Sequence, residues 1–216
     1  MIAEKVFFLV LDGISDRPHE ALNGLTPLAA AWTPVLDRIA AEGVCGIMDT
    51  IAPGIRPGSD TSHLALLGYP PHDYYTGRGP LEAEGTGIHM VAGMIGFRCN
   101  FATVDEDGLV TDRRAGRISG TEPLSDAIRE GVDLSALGVN FRFESGAGHR
   151  AALALIGEGL GDGVSSNDPK GEGARPLAVQ ACTEDPADRK TALACNEFIS
   201  QSAEILAGHP LNARRM

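Results

Sequence analysis

The sequence is short of positive charge. Its 18 lysines and arginines stand against 29 aspartates and glutamates, a formal net charge of −11. That balance excludes a sequence-independent nucleic-acid binder, which neutralises phosphates with a basic surface. It does not exclude a small anionic substrate, because a local arginine cluster can hold one against the net field. Cysteine is scarce as well: Cys45, Cys99, Cys182 and Cys195 are widely spaced, with no CxxC pair. The spacing rules out a zinc-ligand framework and a disulfide scaffold. Cys45 and Cys99 lie among apolar neighbours and read as buried small hydrophobes. No apolar run reaches transmembrane length, and the opening residues lack a basic start followed by a long apolar stretch. The expectation is a cytoplasmic protein with neither nucleic acid nor membrane as a partner. Internal repeats and low-complexity tracts are also lacking.

What is present is ordinary globular material. The 216 residues are 43% hydrophobic and 22% charged, enough to bury a core in one large domain or two small ones. Glycine is plentiful at 27 residues, which points to tight turns and close backbone approaches. Residues 5–11 (KVFFLVL) read as a buried strand with Asp12-Gly13 at its carboxyl end. Thr26-Pro27 and Thr33-Pro34 each place a capping threonine before a first-turn proline. The second start continues through Leu36, Ile39 and Ala40 and stops at Gly43. Residues 46–51 read as a second strand. Strand, helix, strand, helix is the order of a parallel sheet.

From Pro70 the texture changes. Pro70-Pro71 and the glycine-rich stretch 77–87 form a break, after which residues 95–104, 109–112, 139–145 and 150–156 have strand character. Asp105-Glu106-Asp107-Gly108 joins the first two of these as a hairpin turn. Ala192, Cys195, Phe198, Ile199, Ile205 and Leu206 fall on one face of a helix that closes before Gly208. The fold class expected is α/β: a partial parallel unit followed by a second, more antiparallel α/β domain.

The chemistry concentrates in Pro57-Gly58-Ser59-Asp60-Thr61-Ser62-His63. A Pro-Gly turn delivers Ser59 or Asp60 as the cap of a helix that carries Leu64, Leu66 and Leu67. A serine hydroxyl in the positive field of a helix N-terminus suits phosphate. With Asp12 at a strand's carboxyl end, where open α/β sheets gather their ligands, the pair suggests a metal-activated serine nucleophile. The same residues also read as a helix cap and as an Asp-Gly turn.

Longer motifs carry a family resemblance. Residues 10–18 (VLDGISDRP) and 22–28 (LNGLTPL), then GSDTSHL at 58–64 and LGY at 67–69, resemble the archaeal-type cofactor-independent phosphoglycerate mutases of the alkaline-phosphatase superfamily. The resemblance continues through 77–83 (GRGPLEA), 98–103 (RCNFAT), 112–117 (DRRAGR), 148–150 (GHR), 167–169 (NDP) and 209–212 (HPLN), in order along the whole chain. Family members are about twice as long, so the chain resembles their N-terminal half. The resemblance implies residues 1–70 as the first part of a phosphatase-like core and 71–216 as an inserted substrate-binding domain.

It further implies the interconversion of 3-phosphoglycerate and 2-phosphoglycerate through a phosphoserine, without any 2,3-bisphosphoglycerate requirement. Ser59 would be the nucleophile, with Ser62 ranked well below it, and Asp12 and Ser59 would hold a divalent metal, Mn²⁺ or Mg²⁺, as hard oxygen donors. The other ligands of a two-ion site would lie beyond Met216, which makes the chain alone inactive and gives it a C-terminal half or a second copy as partner. His63, four residues after Ser59, could be a general base or a ligand, and reads in preference as a packing residue whose ring donates one hydrogen bond to the nucleophile's loop. Arg98, Arg113, Arg114 and Arg117, with His149 and Arg150, would bind the phosphate and carboxylate of the small substrate, since arginine presents planar, permanently charged forks; surface charge paired with neighbouring carboxylates is the competing reading. Asp168-Pro169 orders a loop or joins that site. Two other functions compete: another metal-dependent phosphoryl-transfer or hydrolase activity of the same superfamily, and a non-catalytic fragment that binds phosphorylated acids.

Overall fold

The computed structural model describes residues 5–213. The chain divides into two compact units between Tyr75 and Thr76. In the first, both Thr-Pro signals start helices, α1 (Pro27–Ala30) and α2 (Pro34–Glu42). Thr26 Oγ1 accepts the Ala29 N–H at 3.2 Å, whereas Thr33 donates its hydroxyl to Asp37 at 3.1 Å; Gly43 ends α2. Helices α3 (Ser59–Leu66) and α4 (Pro71–Tyr74) follow. The cap of α3 is Gly58 rather than Ser59 or Asp60: Thr61 Oγ1 reaches back to accept the Gly58 N–H at 3.0 Å. Ser59 therefore occupies the first helical position, with its hydroxyl not committed to capping.

Two expected strands do not form. Residues 5–11 and 46–51 belong to no strand, and all ladders among the described residues are antiparallel rather than parallel. A strand is defined by the ladder a neighbour completes, and none of the described residues supplies one here. Most apolar side chains of these segments lie open, with Phe7 at 89% and Ile47 at 104% exposure. Cys45, expected to be buried, is exposed for the same reason. No described residue of this unit is buried.

The second unit has the core. Helix α5 (Arg78–Gly85) precedes strand β1 (Met94–Asn100); β2 (Thr103–Val104) and β3 (Val110–Asp112) make the expected hairpin. Its turn is fixed by Asp105 Oδ1, which accepts the N–H groups of Asp107 and Leu109 at 3.0 and 2.8 Å. Then come α6 (Glu122–Gly131), β4 (Asn140–Ser145), β5 (Arg150–Ile156), α7 (Pro186–Ala207) and α8 (Pro210–Ala213). Strands β1, β5 and β4 form one antiparallel sheet with β5 at the centre.

Alternation sorts the side chains of that sheet. Leu153, Leu155 and Phe143 join Ile128 of α6 and Ala192, Cys195 and Phe198 of α7 in the main core. Ala152 and Ala154 turn to the other face, against Ala83 and Ile88. There α5 lies on β1 through glycines: a Cβ on Gly79 would stand 1.8 Å from the Gly96 carbonyl oxygen, so only glycine permits the approach. Asp185 caps α7 by accepting the Ala187 N–H at 2.9 Å. The buried Asp188 carboxylate accepts the Gly163 N–H at 3.0 Å and the Thr183 hydroxyl at 2.5 Å, which fixes the chain before the helix.

Candidate active site

The two groups of candidate residues fall one in each unit. In the first, the Ser59 hydroxyl donates to Asp12 Oδ2 at 2.8 Å across 47 positions of sequence. Gly13 at φ +74° turns the chain immediately after Asp12, a conformation that costs glycine nothing. His63 Nδ1 stands 2.5 Å from the Ser59 carbonyl oxygen, so the ring donates a hydrogen bond one helical turn back onto the serine's own backbone. Thr50 and Ser62 share a hydrogen bond at 3.3 Å, which gives Ser62 a partner other than Asp12. A cleft of about 320 Å³ beside the pair is lined by Asp12, Ser15, Asp49, Thr50, Ser62 and His63.

Ser59 and Asp12 are hard oxygen donors in mutual contact at a helix N-terminus, a fit to part of a Mg²⁺ or Mn²⁺ ligand set. They are not a whole one. Among the described residues no group of three or more His, Cys, Asp and Glu side chains is gathered.

In the second unit an open cavity of about 1650 Å³ is lined by all six residues expected to bind substrate: Arg98 from β1, Arg113, Arg114 and Arg117 from the turn after β3, and His149 and Arg150 from the start of β5. The local backbone is well fixed. The His149 carbonyl accepts the Phe101 N–H at 2.7 Å, Gly146 donates to the Arg150 carbonyl at 2.8 Å, and the buried Thr121 donates its hydroxyl to the Gly148 carbonyl at 3.3 Å.

Electrostatics gather around His149. Burial first, and then the charges of Arg150, Arg114, Arg98 and Arg117, hold its imidazole below the usual histidine range. Guanidinium charges whose combined effect is felt at one ring make a field that favours an anion. Arg98 Nε is buried without a hydrogen-bond partner; Glu82 Oε2, at 3.6 Å, is near enough to pair in charge but too far to accept.

Arg113 differs from the other arginines. Its fork engages Asp168 on both sides, Nε to Oδ1 at 3.1 Å and Nη2 to Oδ2 at 2.5 Å, and this bond chiefly lowers the Asp168 carboxyl below the usual carboxylate range. Asp168 also accepts the Lys170 N–H at 2.8 Å and so orders its loop. Among the lining residues that the sequence does not single out is Arg78, which opens α5 within the glycine-rich stretch. An arginine beside a left-handed glycine (Gly77, φ +102°) in a helix's first turn was the available signal. Cys99 and Cys195 line the cavity too, and burial pushes both thiols up to about 12, so they stay protonated and unreactive.

A comparison with known proteins decides the family. The family model described as 2,3-bisphosphoglycerate-independent phosphoglycerate mutase matches residues 40–212. The chain belongs to that family. A phosphoglycerate mutase of this kind from Methanoculleus marisnigri is 83% identical over all 216 residues, and one from Methanosphaerula palustris is 68% identical. Among solved structures, the cofactor-independent phosphoglycerate mutase of Thermoplasma acidophilum is 43% identical, covers 95% of the chain and superposes with a TM-score of 0.61. The chain spans about half the length of the curated relatives it matches, 53% of the first two. The family read from the motifs is thus the one shown, and the fold shared with its mutases is a mixed α/β one with antiparallel sheets.

Proposed function

We propose that the chain supplies the phosphoryl acceptor and the anion-binding cavity of a cytoplasmic phosphoglycerate mutase. The observation that carries this reading is the Ser59–Asp12 hydrogen bond at the start of α3. In the first half-reaction the bond between phosphorus and the 3-oxygen of 3-phosphoglycerate breaks, and a bond from phosphorus to Ser59 Oγ forms. The hydroxyl proton, already directed at Asp12 Oδ2, is given up and the glycerate oxygen gains one. In the second the bond from phosphorus to Ser59 Oγ breaks, a bond to the 2-oxygen forms as that hydroxyl gives up its proton, and Ser59 regains one. No external bisphosphate enters this balance.

The N-terminal field of α3 favours charge on the serine oxygen and on the phosphoryl group that reaches it. His63 holds the Ser59 carbonyl and fixes the first turn. Arg98, Arg114, Arg117 and Arg150 hold the two anionic ends of the substrate around the neutral His149, and Arg113, through Asp168, holds one wall. Asp12 and Ser59 would ligate Mn²⁺ or Mg²⁺, which when bound lowers the pKa of a coordinated hydroxyl. The remaining ligands of a two-ion site, and the partners that turn residues 5–11 and 46–51 into strands of a phosphatase-like parallel sheet, are assigned to the length of the relatives that this chain does not span. The exposed apolar side chains of those two segments support that assignment.

The test is mutase turnover by the 216-residue chain with Mn²⁺ and 3-phosphoglycerate, with and without the complementary part of the Methanoculleus marisnigri relative. Negligible turnover alone and recovery on completion are expected. Robust turnover by the chain alone would overturn the division of the metal site.

A further inference from the structure

The turn that carries Arg113, Arg114 and Arg117 is built in a conformation its residues do not choose. Ala115, Gly116 and Arg117 have φ of +46°, +64° and +54°, three consecutive left-handed residues of which only one is glycine. Side chains with a Cβ avoid that region, and they enter it as single residues rather than in runs. Something must hold the turn there.

We infer that Asp112 is the positioning residue of the arginine cavity, its carboxylate holding the left-handed turn Ala115–Arg117 and so setting Arg114 and Arg117. Asp112 Oδ1 accepts the Arg114 N–H at 2.7 Å and Oδ2 accepts the Gly116 N–H at 2.6 Å. Successive N–H groups around a left-handed residue form a concavity for an anion, and here the anion is part of the chain. Bonds to an ionised acceptor are shorter and stronger than neutral ones, and both distances lie at the short end.

The anchor is itself held at both ends. Asp112 is paired with Thr103 in the β2–β3 ladder, and Ala115 is 2% exposed within the main core. The turn is therefore fixed at its base and at its centre, and the carboxylate ties the two together. The side chains it sends out divide: Arg113 goes to Asp168, while Arg114 and Arg117 line the same cavity as His149. Without the carboxylate the turn keeps the Arg117 N–H to Arg114 carbonyl bond at 2.8 Å but loses the two short bonds that tie its N–H groups to β3, and Arg114 and Arg117 are set less firmly.

The consequence for substrate rests on the phosphoglycerate reading, but the positioning role does not. Two measurements on the full 216-residue chain separate them: the titration of the His149 ring by NMR, and the affinity for inorganic phosphate and for 3-phosphoglycerate by calorimetry. In Asp112→Ala the His149 midpoint rises toward the ordinary imidazole value, and phosphate affinity falls about tenfold or more, the scale of a lost charge-assisted contact. Asp112→Asn keeps the size and one acceptor oxygen, and gives a smaller change in the same direction.

Asp105→Ala is the control. It removes a carboxylate that captures two N–H groups in the neighbouring turn but carries no arginine; it should lower thermal stability and leave His149 and phosphate affinity unchanged. Wild-type titration and affinity in both Asp112 variants would overturn the inference, as would an equal response from Asp105→Ala. If Asp112→Ala does not fold, the folded Asp112→Asn decides. A response of His149 in a chain that binds phosphate but no 3-phosphoglycerate would remove the functional reading and leave the role of Asp112 standing.

Discussion

The hydroxyl of Ser59 and the carboxylate of Asp12, 47 positions apart, meet at 2.8 Å at the first turn of α3. On the proposed reading, that contact joins the phosphoryl acceptor to the residue that would share its metal. In the completed enzyme, Ser59→Ala is expected to reduce turnover by about 10³-fold or more, as removal of a nucleophile does elsewhere. Asp12→Asn keeps the shape and loses the charge, and should fall by a similar order. Ser62→Ala should retain most activity, since Ser62 is directed to Thr50. Steady-state kinetics on the three variants checks the ranking.

Beside burial, the charges of Arg114 and Arg117 on one turn, and of Arg98 and Arg150 on two strands, help to lower the His149 imidazole. Replacing either turn arginine with glutamine should weaken binding of 3-phosphoglycerate by about ten- to a hundredfold, the equivalent of the ~1.5–3 kcal/mol typical of a hydrogen bond to a charged group. Lysine should recover only part of the loss, because an ammonium cannot present a planar fork. Calorimetric titration reads both effects.

Much of the scaffold was legible in the sequence. The strand Arg150–Ile156 follows from RAALALI between turn residues, and α7 from an apolar face closed by Gly208. Both depend on patterns complete within their own segments. Residues 5–11 were equally apolar and 46–51 partly so, but a strand depends on a neighbour's backbone, and no local pattern reveals whether it is there. The candidate site divides in the same way. Ser59, Asp12 and the arginines were readable as residue types in motifs. The fork from Arg113 to Asp168 and the place of Arg78 in the cavity arise from tertiary packing and left little local trace, whereas the cap at Gly58 is a local bond to Thr61 three residues on.

His149 gives the pH dependence. Its folded-state pKa is lowered, so between that value and the ordinary histidine range the unfolded chain binds more protons than the folded one. Stability contributed by the neutral ring is complete above the ordinary range and declines as pH falls through it. Urea unfolding at pH 7.5 and 5.5 should show a larger loss for the wild type than for His149→Gln. Added phosphate should raise the His149 midpoint in an NMR titration, because the anion offsets the arginines that depress it.

The Arg113–Asp168 pair is bidentate but 40% exposed on both sides, which limits its worth. Asp168→Asn should cost about 1 kcal/mol or less in thermal unfolding at neutral pH. The Asp168 carboxyl is lowered, chiefly by its bond to Arg113, so the contribution of the pair is present above the usual carboxylate range and is lost only as pH falls through the depressed value. Wild type and variant should therefore converge in strong acid and separate as pH rises.

The central claim is that Ser59 receives the phosphoryl group. The direct measurement is to quench the completed enzyme during turnover of 3-phosphoglycerate in acid, digest it, and locate the phosphate by mass spectrometry. A phosphorylated peptide spanning residues 57–64 with the group on Ser59, absent from Ser59→Ala, is the expected result. Turnover with the phosphate on Ser62, Thr61 or another residue, or undiminished turnover by Ser59→Ala, would contradict it.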